Sequence, residues 1–315
     1  MILPYTLRLV CLCLASFFLV HAALALAARC LAPAALGFAG RLPAQSAARL
    51  LLALRLFPAS VALAAVAGLC VPSYLSLEQE DGAEFVGLTC LAAALFGAAI
   101  WTISWARSLR AAIRSHRYVR QCRRAGSIWI ADGSAPFLGL AGIVRPKLIV
   151  SRSVADALDR DQLTAAIRHE RAHQSSADNL KRLLLLLAPD ALPFLRGFAS
   201  VERAWFRFTE WAADDRAVSQ DAACSLSLAE ALVRVARLGA AAQASPLMSH
   251  FVAPSVDISV RVERLLSPTI EAAARKPGRR IALSGALIAF PAAVLAIAQP
   301  ATLRSVHGLL ERLMR

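Results

Sequence analysis

The sequence predicts a multi-pass α-helical membrane protein that carries a small α+β domain on the cytoplasmic side of the membrane. The chain has 315 residues, of which 58% are hydrophobic, and its mean hydropathy is +0.56. Soluble domains contain about 45–50% apolar residues. One core of this size cannot bury such an excess, so part of it is expected to face lipid.

Four apolar stretches are long enough to cross a bilayer, for which a helix needs about 20 residues. The first lacks the basic start and the early cleavage site of a signal peptide, so we expect it to remain as a membrane helix. The predicted organisation is three transmembrane helices in residues 1–106 (9–28, 56–75 and 85–106), a cytoplasmic domain in 107–280, a fourth transmembrane helix in 281–298, and an extracytoplasmic tail in 299–315.

Charges beside these stretches predict the orientation, because Lys and Arg are retained on the cytoplasmic side. Four arginines separate the first two stretches, and seven lie between residues 107 and 124, directly after the third. The loop between the second and third stretches contains Glu78, Glu80, Asp81 and Glu84 and no basic residue. We therefore expect the N-terminus outside and the domain in the cytoplasm.

The predicted cytoplasmic domain contains signals for both strands and helices. Asp159 and Gln162 have the spacing of a capping box, which predicts a helix that begins there. The apolar run 183–195 contains Pro189 and Pro193, so we interpret it as buried or membrane-grazing rather than as a fifth span. The other predicted elements are strands at 127–131 and 147–151 and helices at 201–217 and 227–238.

The net charge of +14 indicates an anionic partner, and arginines flanking apolar stretches favour membrane lipids. No nucleic-acid-binding signature is present, so no direct contact with nucleic acid is expected. Seven scattered cysteines without a CxxC pair predict reduced thiols.

His169, Glu170 and His173 form an H-E-x-x-H motif within the helix predicted after Asp159. Histidines four residues apart share one helix face, so two imidazoles can reach one zinc ion. The intervening glutamate is placed to act as general base on a water molecule. Arg168 and Arg171 are expected to point to solvent. Chance predicts roughly 0.004 such motifs in this composition.

A zinc ion needs a third protein ligand, for which Glu210 is the strongest candidate. Asp214 lies four residues later on the same helix face, where it can orient a ligand imidazole. Glu202 and Asp215 are the rival ligands, but neither has such a partner. Three protein ligands leave one position open, as in catalytic rather than structural zinc sites.

The sequence indicates groups that could bind substrate less clearly than it indicates the zinc ligands. His250 and Arg261 are candidate donors to the oxyanion or to substrate, with plain surface roles as the alternative. The strand at 147–151 is a candidate edge for an extended substrate, because it directly precedes the site helix.

The chain resembles the BlaR/MecR family of membrane zinc metallopeptidases. The resemblance rests on the order of the spans, on the H-E-x-x-H motif and on four further elements: RPKLIVS at 145–151, Asp178 five residues after His173, Glu210-x-x-x-Asp214, and RVERLL at 261–266. It implies a gluzincin-type peptidase domain in the bacterial cytoplasmic membrane that cuts a cytosolic or membrane-associated protein in response to a signal. The substrate would be a protein such as a transcriptional repressor.

Two departures from the family pattern limit this expectation. Ser175-Ser176-Ala177 stands where a basic pair often precedes the aspartate, and only 17 residues follow the fourth span, so we expect no penicillin-binding sensor domain. Two alternatives stay open: an inactive membrane signal transducer, and a processing or quality-control peptidase of the HtpX or CAAX-protease type. The signal, the cleavage site and the oligomeric state, a dimer included, are not determined by the sequence.

Overall fold

The computed structural model describes residues 4–78, 85–132, 135–190, 198–218, 221–239, 246–252, 257–267 and 299–314. These residues form a mostly helical protein with one small mixed sheet. The helices are α1 (Tyr5–Ala39), α2 (Ala44–Ala65), α3 (Val71–Leu77), α4 (Leu88–Arg120), α5 (Arg152–Ala157), α6 (Arg160–Ser175), α7 (Asp178–Leu187), α8 (Ala199–Val218), α9 (Ala222–Arg237), α10 (Ile258–Leu266) and α11 (Pro300–Met314). The strands are β1 (Arg123–Ala125), β2 (Ile128–Ala131), β3 (Leu138–Ala141) and β4 (Lys147–Ser151).

Three helices are long and apolar enough to cross a membrane, as the sequence predicts. They are α1, the helix Ala44–Leu77, and α4, with 35, 34 and 33 residues. The second is α2 and α3 joined through a π-helical turn, Val66–Cys70. At 1.5 Å per residue each is about 50 Å long, so each extends well beyond a hydrocarbon layer of about 30 Å. The predicted fourth span, 281–298, lies outside the described residues.

The sheet has the strand order β1-β2-β4-β3. β2 and β4 are parallel, whereas β1 pairs with β2 and β3 pairs with β4 in antiparallel fashion. The strands predicted at 127–131 and 147–151 are confirmed as β2 and β4. The expectation that β4 offers an edge to substrate is wrong, because β4 is an inner strand that pairs with β2 on one side and with β3 on the other.

Capping residues fix the helices of the small domain. The side chain of Asp159 accepts hydrogen bonds from the backbone N–H groups of Asp161 and Gln162, and the side-chain oxygen of Gln162 accepts one from the backbone N–H of Asp159, which confirms the capping box. The helix predicted at 201–217 is confirmed as α8. The helix predicted at 227–238 is α9, which begins five residues earlier because Asp221 caps it.

The α1–α2 hairpin packs directly against α8. Small residues of the hairpin meet aromatic residues of α8 in one buried cluster that includes Ala28, Ala47, Trp205 and Phe208. Ion pairing adds to this contact, because Arg55 Nε donates to Glu202 Oε1 at 2.7 Å. The domain is therefore joined to the membrane helices by a packed interface.

The run predicted as buried or membrane-grazing begins within α7 and continues at 188–190 against the hairpin. Arg55 donates to the backbone oxygens of Ala188 at 3.0 Å and Pro189 at 3.5 Å. The His21 ring lies 3.2 Å from the Pro189 oxygen. Residues 191–197 of the run lie outside the described residues. The contact with His21 places 188–190 beside the middle of the first predicted span.

The tail predicted after the fourth span forms α11. Leu310 and Met314 of α11 pack into a cluster with Leu12 and Tyr74, at the end of the bundle where α1 begins and α3 ends. All seven cysteines are free.

Candidate metal centre

Helix α6 presents the H-E-x-x-H residues to the interior. His169, Glu170 and His173 are at most 1% exposed, whereas Arg168 and Arg171 are exposed on the opposite face. The capping box sets where the helix begins and therefore which residues face inward. The expected inner face with the H-E-x-x-H residues and the expected outer face with the two arginines are both confirmed.

Glu210 of α8 completes a buried cluster that could hold one metal ion. One ligand atom each from His169, His173 and Glu210 can be chosen so that all lie within 4.8 Å of one another. The two Nε2 atoms are 3.1 Å apart, and each lies 3.4–3.5 Å from a carboxylate oxygen of Glu210. The rival carboxylates lie elsewhere: Glu202 pairs with Arg55, and Asp215 pairs with Arg264 at 2.6 Å.

Two aspartates hold the outer nitrogens of the histidine rings. Nδ1 of His169 lies 2.8 Å from Oδ1 of Asp214, and Nδ1 of His173 lies 2.8 Å from Oδ2 of Asp178. The contact of His173 with Asp178 is a hydrogen bond, and with Nδ1–H directed at that carboxylate the neutral ring turns its Nε2 lone pair towards the cluster. Asp214 stands in the same position beside His169, at ion-pair distance but without hydrogen-bond geometry. Two such lone pairs facing each other, with a carboxylate beside them, are a donor set that fits a divalent metal ion.

The oxygens of Glu210 give an independent indication. Both are fully buried, and neither accepts a hydrogen bond of good geometry from the described part of the chain. A buried carboxylate without hydrogen bonds is costly unless a cation stands beside it. The nearest side-chain cations, Nη1 of Arg261 and Nη2 of Arg182, lie 3.3 Å and 3.6 Å away. The carboxylate is therefore steered by two arginines and still has capacity for a metal.

Arg261, a candidate for contacting the oxyanion or substrate, binds carboxylates beside the cluster in the structure. Arg261 of α10 is 1% exposed, and its Nε and Nη2 donate to both oxygens of Asp214 at 2.9 Å and 2.6 Å. Its Nη1 donates to the backbone oxygen of Phe251 at 2.9 Å. These bonds make it a clamp on the carboxylates around the metal cluster.

Burial and charge shift the pKa values of the centre in opposite directions. Burial raises the pKa of Glu170 above its usual range. Burial acts in the same sense on Asp214, but Arg261 and His169 outweigh it and lower its pKa to about 2. Burial alone would lower the pKa of His173, yet the carboxylates of Glu210 and Asp178 raise it to about 10. The cluster therefore attracts positive charge, which a metal ion can supply in place of protons.

Glu170 faces the cluster from the same helix but has a different environment. Its Oε2 accepts a hydrogen bond from the hydroxyl of Ser249 at 2.9 Å, whereas its Oε1 is buried and without a partner among the described residues. The carboxylate is thus fixed through one oxygen, and the other is available to a water molecule or a substrate.

Ser249 belongs to a short buried segment, residues 247–251, that lies along the outer edge of β3. The backbone N–H of Ser249 donates to the oxygen of Leu140 at 3.0 Å, and that of Phe251 donates to the oxygen of Leu138 at 2.9 Å. The segment can approach closely because Gly139 has no side chain; an added Cβ would collide with the Ser249 carbonyl oxygen. Residues 247–251 therefore cover the outer edge of β3 beside Glu170.

His250, the second candidate substrate contact, remains beside the centre. Its ring packs edge-on against Phe137 with centroids 4.7 Å apart, and its Nε2 is buried without a hydrogen-bond partner in the described part of the chain. Burial, reinforced by the positive charge of Arg182, lowers its pKa to about 4. A neutral imidazole with a free Nε2 can donate or accept one hydrogen bond, so His250 stays a candidate contact for the oxyanion or the substrate.

Arg182 and Ser249 are parts of the centre that sequence reasoning missed. Arg182 lies four residues after Asp178, on the same face of α7, but Lys181 precedes it and spacing alone does not choose between them. Ser249 has no local signal, because its contact with Glu170 joins residues 79 positions apart.

No protein-family model, no curated protein and no solved structure matches this chain.

Proposed function

We propose that the protein is a membrane-embedded zinc metalloendopeptidase of the gluzincin type, similar to the BlaR/MecR peptidases. It would hydrolyse peptide bonds of a cytosolic or membrane-associated protein in signal-dependent regulatory proteolysis. One observation carries the proposal: a buried carboxylate oxygen of Glu170, without a hydrogen-bond partner among the described residues, lies beside the cluster of His169, His173 and Glu210.

The donor set favours zinc and a catalytic use of it. Two imidazoles and one carboxylate are the ligands of the His₂Glu class of catalytic zinc sites, in which a fourth position stays open. When bound there, zinc would polarise a peptide carbonyl and acidify a water molecule.

The chain's own residues would carry the proton transfers. The raised pKa of Glu170 suits a group that takes a proton from water and gives it to the leaving amine. Ser249 holds one of its oxygens and so directs the other. Asp214 and Asp178 keep the two ligand imidazoles in the tautomer that faces the cluster.

The connection to the membrane helices supports the regulatory part of the proposal. Glu210 and Asp214 are on α8, which also carries Trp205 and Phe208 of the interface with the α1–α2 hairpin. A rigid helix that joins two sites can transmit a displacement between them. A shift of the hairpin would therefore reach the proposed third zinc ligand.

Metal content and substrate trapping test the proposal together. The purified protein should contain about one zinc per chain. Glu210→Gln should lose most of the zinc, whereas Glu202→Gln, a matched change on the same helix, should keep it. Glu170→Gln should keep the zinc but lose proteolytic activity. It should therefore stay bound to the uncut substrate, whereas the wild-type protein cuts the substrate and releases the products.

Two results would contradict the proposal. Zinc that stays after Glu210→Gln and leaves after Glu202→Gln would refute the ligand set. Unchanged signalling by Glu170→Gln in cells would instead support the inactive transducer. Accessibility of protease-cleavable tags after Leu77 and at the C-terminus tests the orientation, since both are expected outside.

A further inference from the structure

We propose that a basic cavity behind the metal centre is a binding site for a phosphate group, carried either by a lipid headgroup or by free phosphate. The cavity measures about 350 Å³ and lies between α2, the end of α6, the start of α7, and α8. None of the three proposed zinc ligands lines it, and it touches the metal centre only through Asp178, the hydrogen-bond partner of His173.

The cavity gathers more positive than negative charge. Arg49 of α2, Lys181 of α7 and Arg216 of α8 line it, and Asp178 is the one acidic residue among the described residues of its lining. Asp178 is already engaged, because its oxygens lie 2.7 Å from Nζ of Lys181 and 2.8 Å from Nδ1 of His173. Within the described ranges, neither lining arginine forms an ion pair with a carboxylate.

Two guanidinium groups converge on one neutral acceptor. With its amide oriented to suit its neighbours, the side-chain oxygen of Gln45 accepts from Nη2 of Arg49 at 3.1 Å and from Nη2 of Arg216 at 3.0 Å. An amide oxygen bridges the two cations without neutralising them. A phosphate oxygen in that place would form charge-assisted bonds, which are roughly twice as strong as neutral ones.

The guanidinium of Arg216 is held in place before any ligand arrives. Its Nη1 donates to the backbone oxygen of Ala172 at 3.0 Å, to the hydroxyl of Ser175 at 3.1 Å, and to the hydroxyl of Ser176. All three partners belong to the end of α6 and are uncharged. A fixed cation loses little side-chain entropy on binding, so the site is preorganised.

The position of the cavity relative to the predicted membrane allows phosphate to reach it from a lipid headgroup or from solution. Arg49 precedes residue 56, where the second span is predicted to begin, by seven residues, or about 10 Å of helix. The polar headgroup layer occupies about 5–8 Å on each side of the hydrocarbon core, so an arginine side chain can reach it. Phosphate from a headgroup and phosphate from solution are both accessible there.

Calorimetric titration of the purified full-length protein in detergent with inorganic phosphate, at constant ionic strength, tests the site. We expect one saturable event. Arg49→Gln should weaken it about tenfold or more, as loss of a charged hydrogen bond predicts. Arg41→Gln, an exposed arginine of the same α1–α2 region outside the cavity lining, should change it less than twofold. Phosphate held by a metal ion would persist in Arg49→Gln.

A second arm separates the two sources. The titration is repeated in nanodiscs of phosphatidylcholine, alone and with phosphatidic acid. Loss of the phosphate signal with phosphatidic acid identifies a headgroup as the occupant, and its persistence identifies free phosphate. Absence of saturable binding by the wild-type protein in detergent, or equal binding by Arg49→Gln, overturns the proposal.

Discussion

Replacing Asp178 and Asp214, which lie beside the imidazoles of His173 and His169, should affect metal affinity and the stability of the folded protein to different extents. Asp178 and Asp214 each lie 2.8 Å from the Nδ1 atom of one histidine ring. Asp178→Asn and Asp214→Asn keep the shape of the side chain and remove its charge. Both changes should therefore weaken the hold on a ligand imidazole to a similar degree.

The expected loss of metal affinity is about 10–100-fold for each variant, the range found when the hydrogen-bond partner of a ligand histidine is removed. That factor corresponds to about 1.4–2.7 kcal/mol. Zinc affinity can be measured by competition with a chromophoric chelator in detergent.

The two variants should differ in the stability of the metal-free protein. Asp214 also pairs with Arg261, and both side chains are 1% exposed, so Asp214→Asn leaves a buried cation whose nearest carboxylate among the described residues is Glu210, at 3.3 Å. Breaking a buried pair in this way costs about 3–5 kcal/mol. The partners of Asp178 are better provided for: Lys181 is 31% exposed and can turn to water, and His173 keeps Glu210 beside it at 3.5 Å, so Asp178→Asn should cost less than Asp214→Asn.

Thermal unfolding in the presence of excess chelator removes the contribution of the metal. A loss of about 3–5 kcal/mol should lower the unfolding temperature of Asp214→Asn by about 10 °C, and that of Asp178→Asn by less. Equal destabilisation of the two variants would refute the role assigned to the clamp on Asp214. Unchanged zinc affinity in both would refute the orientation of the imidazoles.

Three further predictions concern the covered sheet edge, acid stability and the membrane helices. Gly139→Ala should displace Ser249 from β3, seen as faster proteolytic cutting within 246–252; unchanged cutting would contradict that packing. The pKa of His250 is lowered from 6.5 to about 4 by burial, so the unfolded chain takes up its proton first as pH falls. About 2 kcal/mol should be lost from about pH 7 to about pH 5, and His250→Phe should lack this component in unfolding measurements. Gly97→Ala would place a Cβ 2.5 Å from a backbone oxygen of α1 and should destabilise the helix bundle by about 1–3 kcal/mol, whereas Gly37→Ala, with no atom within 4 Å, should not.

The inner face of the helix with the H-E-x-x-H residues and three of the apolar spans could be predicted because their signals are local. His169 and His173 share a helix face by spacing alone, and Asp159 with Gln162 fixes where that helix begins. Three of the predicted spans correspond to helices of the required length. Hydropathy and helical period act within one element, and no distant contact is needed to interpret them.

The sheet edge was predicted wrongly because strand order depends on distant pairing. The sequence shows β4 just before the site helix but not that β3, with an unremarkable LGLA sequence, returns to cover it. Nor does it show that residues 247–251 then cover β3. Register and neighbours in a sheet are decided by packing of the whole domain.

By itself, the sequence indicated helices long and apolar enough to cross a membrane, a helix with two histidines and a glutamate on its inner face, and Glu210 as the acidic residue that joins them. Only the tertiary structure decided that Arg261 clamps Asp214 and that Ser249 occupies one oxygen of Glu170. The first group follows from periodicities within single helices. The second joins side chains 47 and 79 positions apart, and such contacts exist only once α6, α8, α10 and the 247–251 segment have packed together.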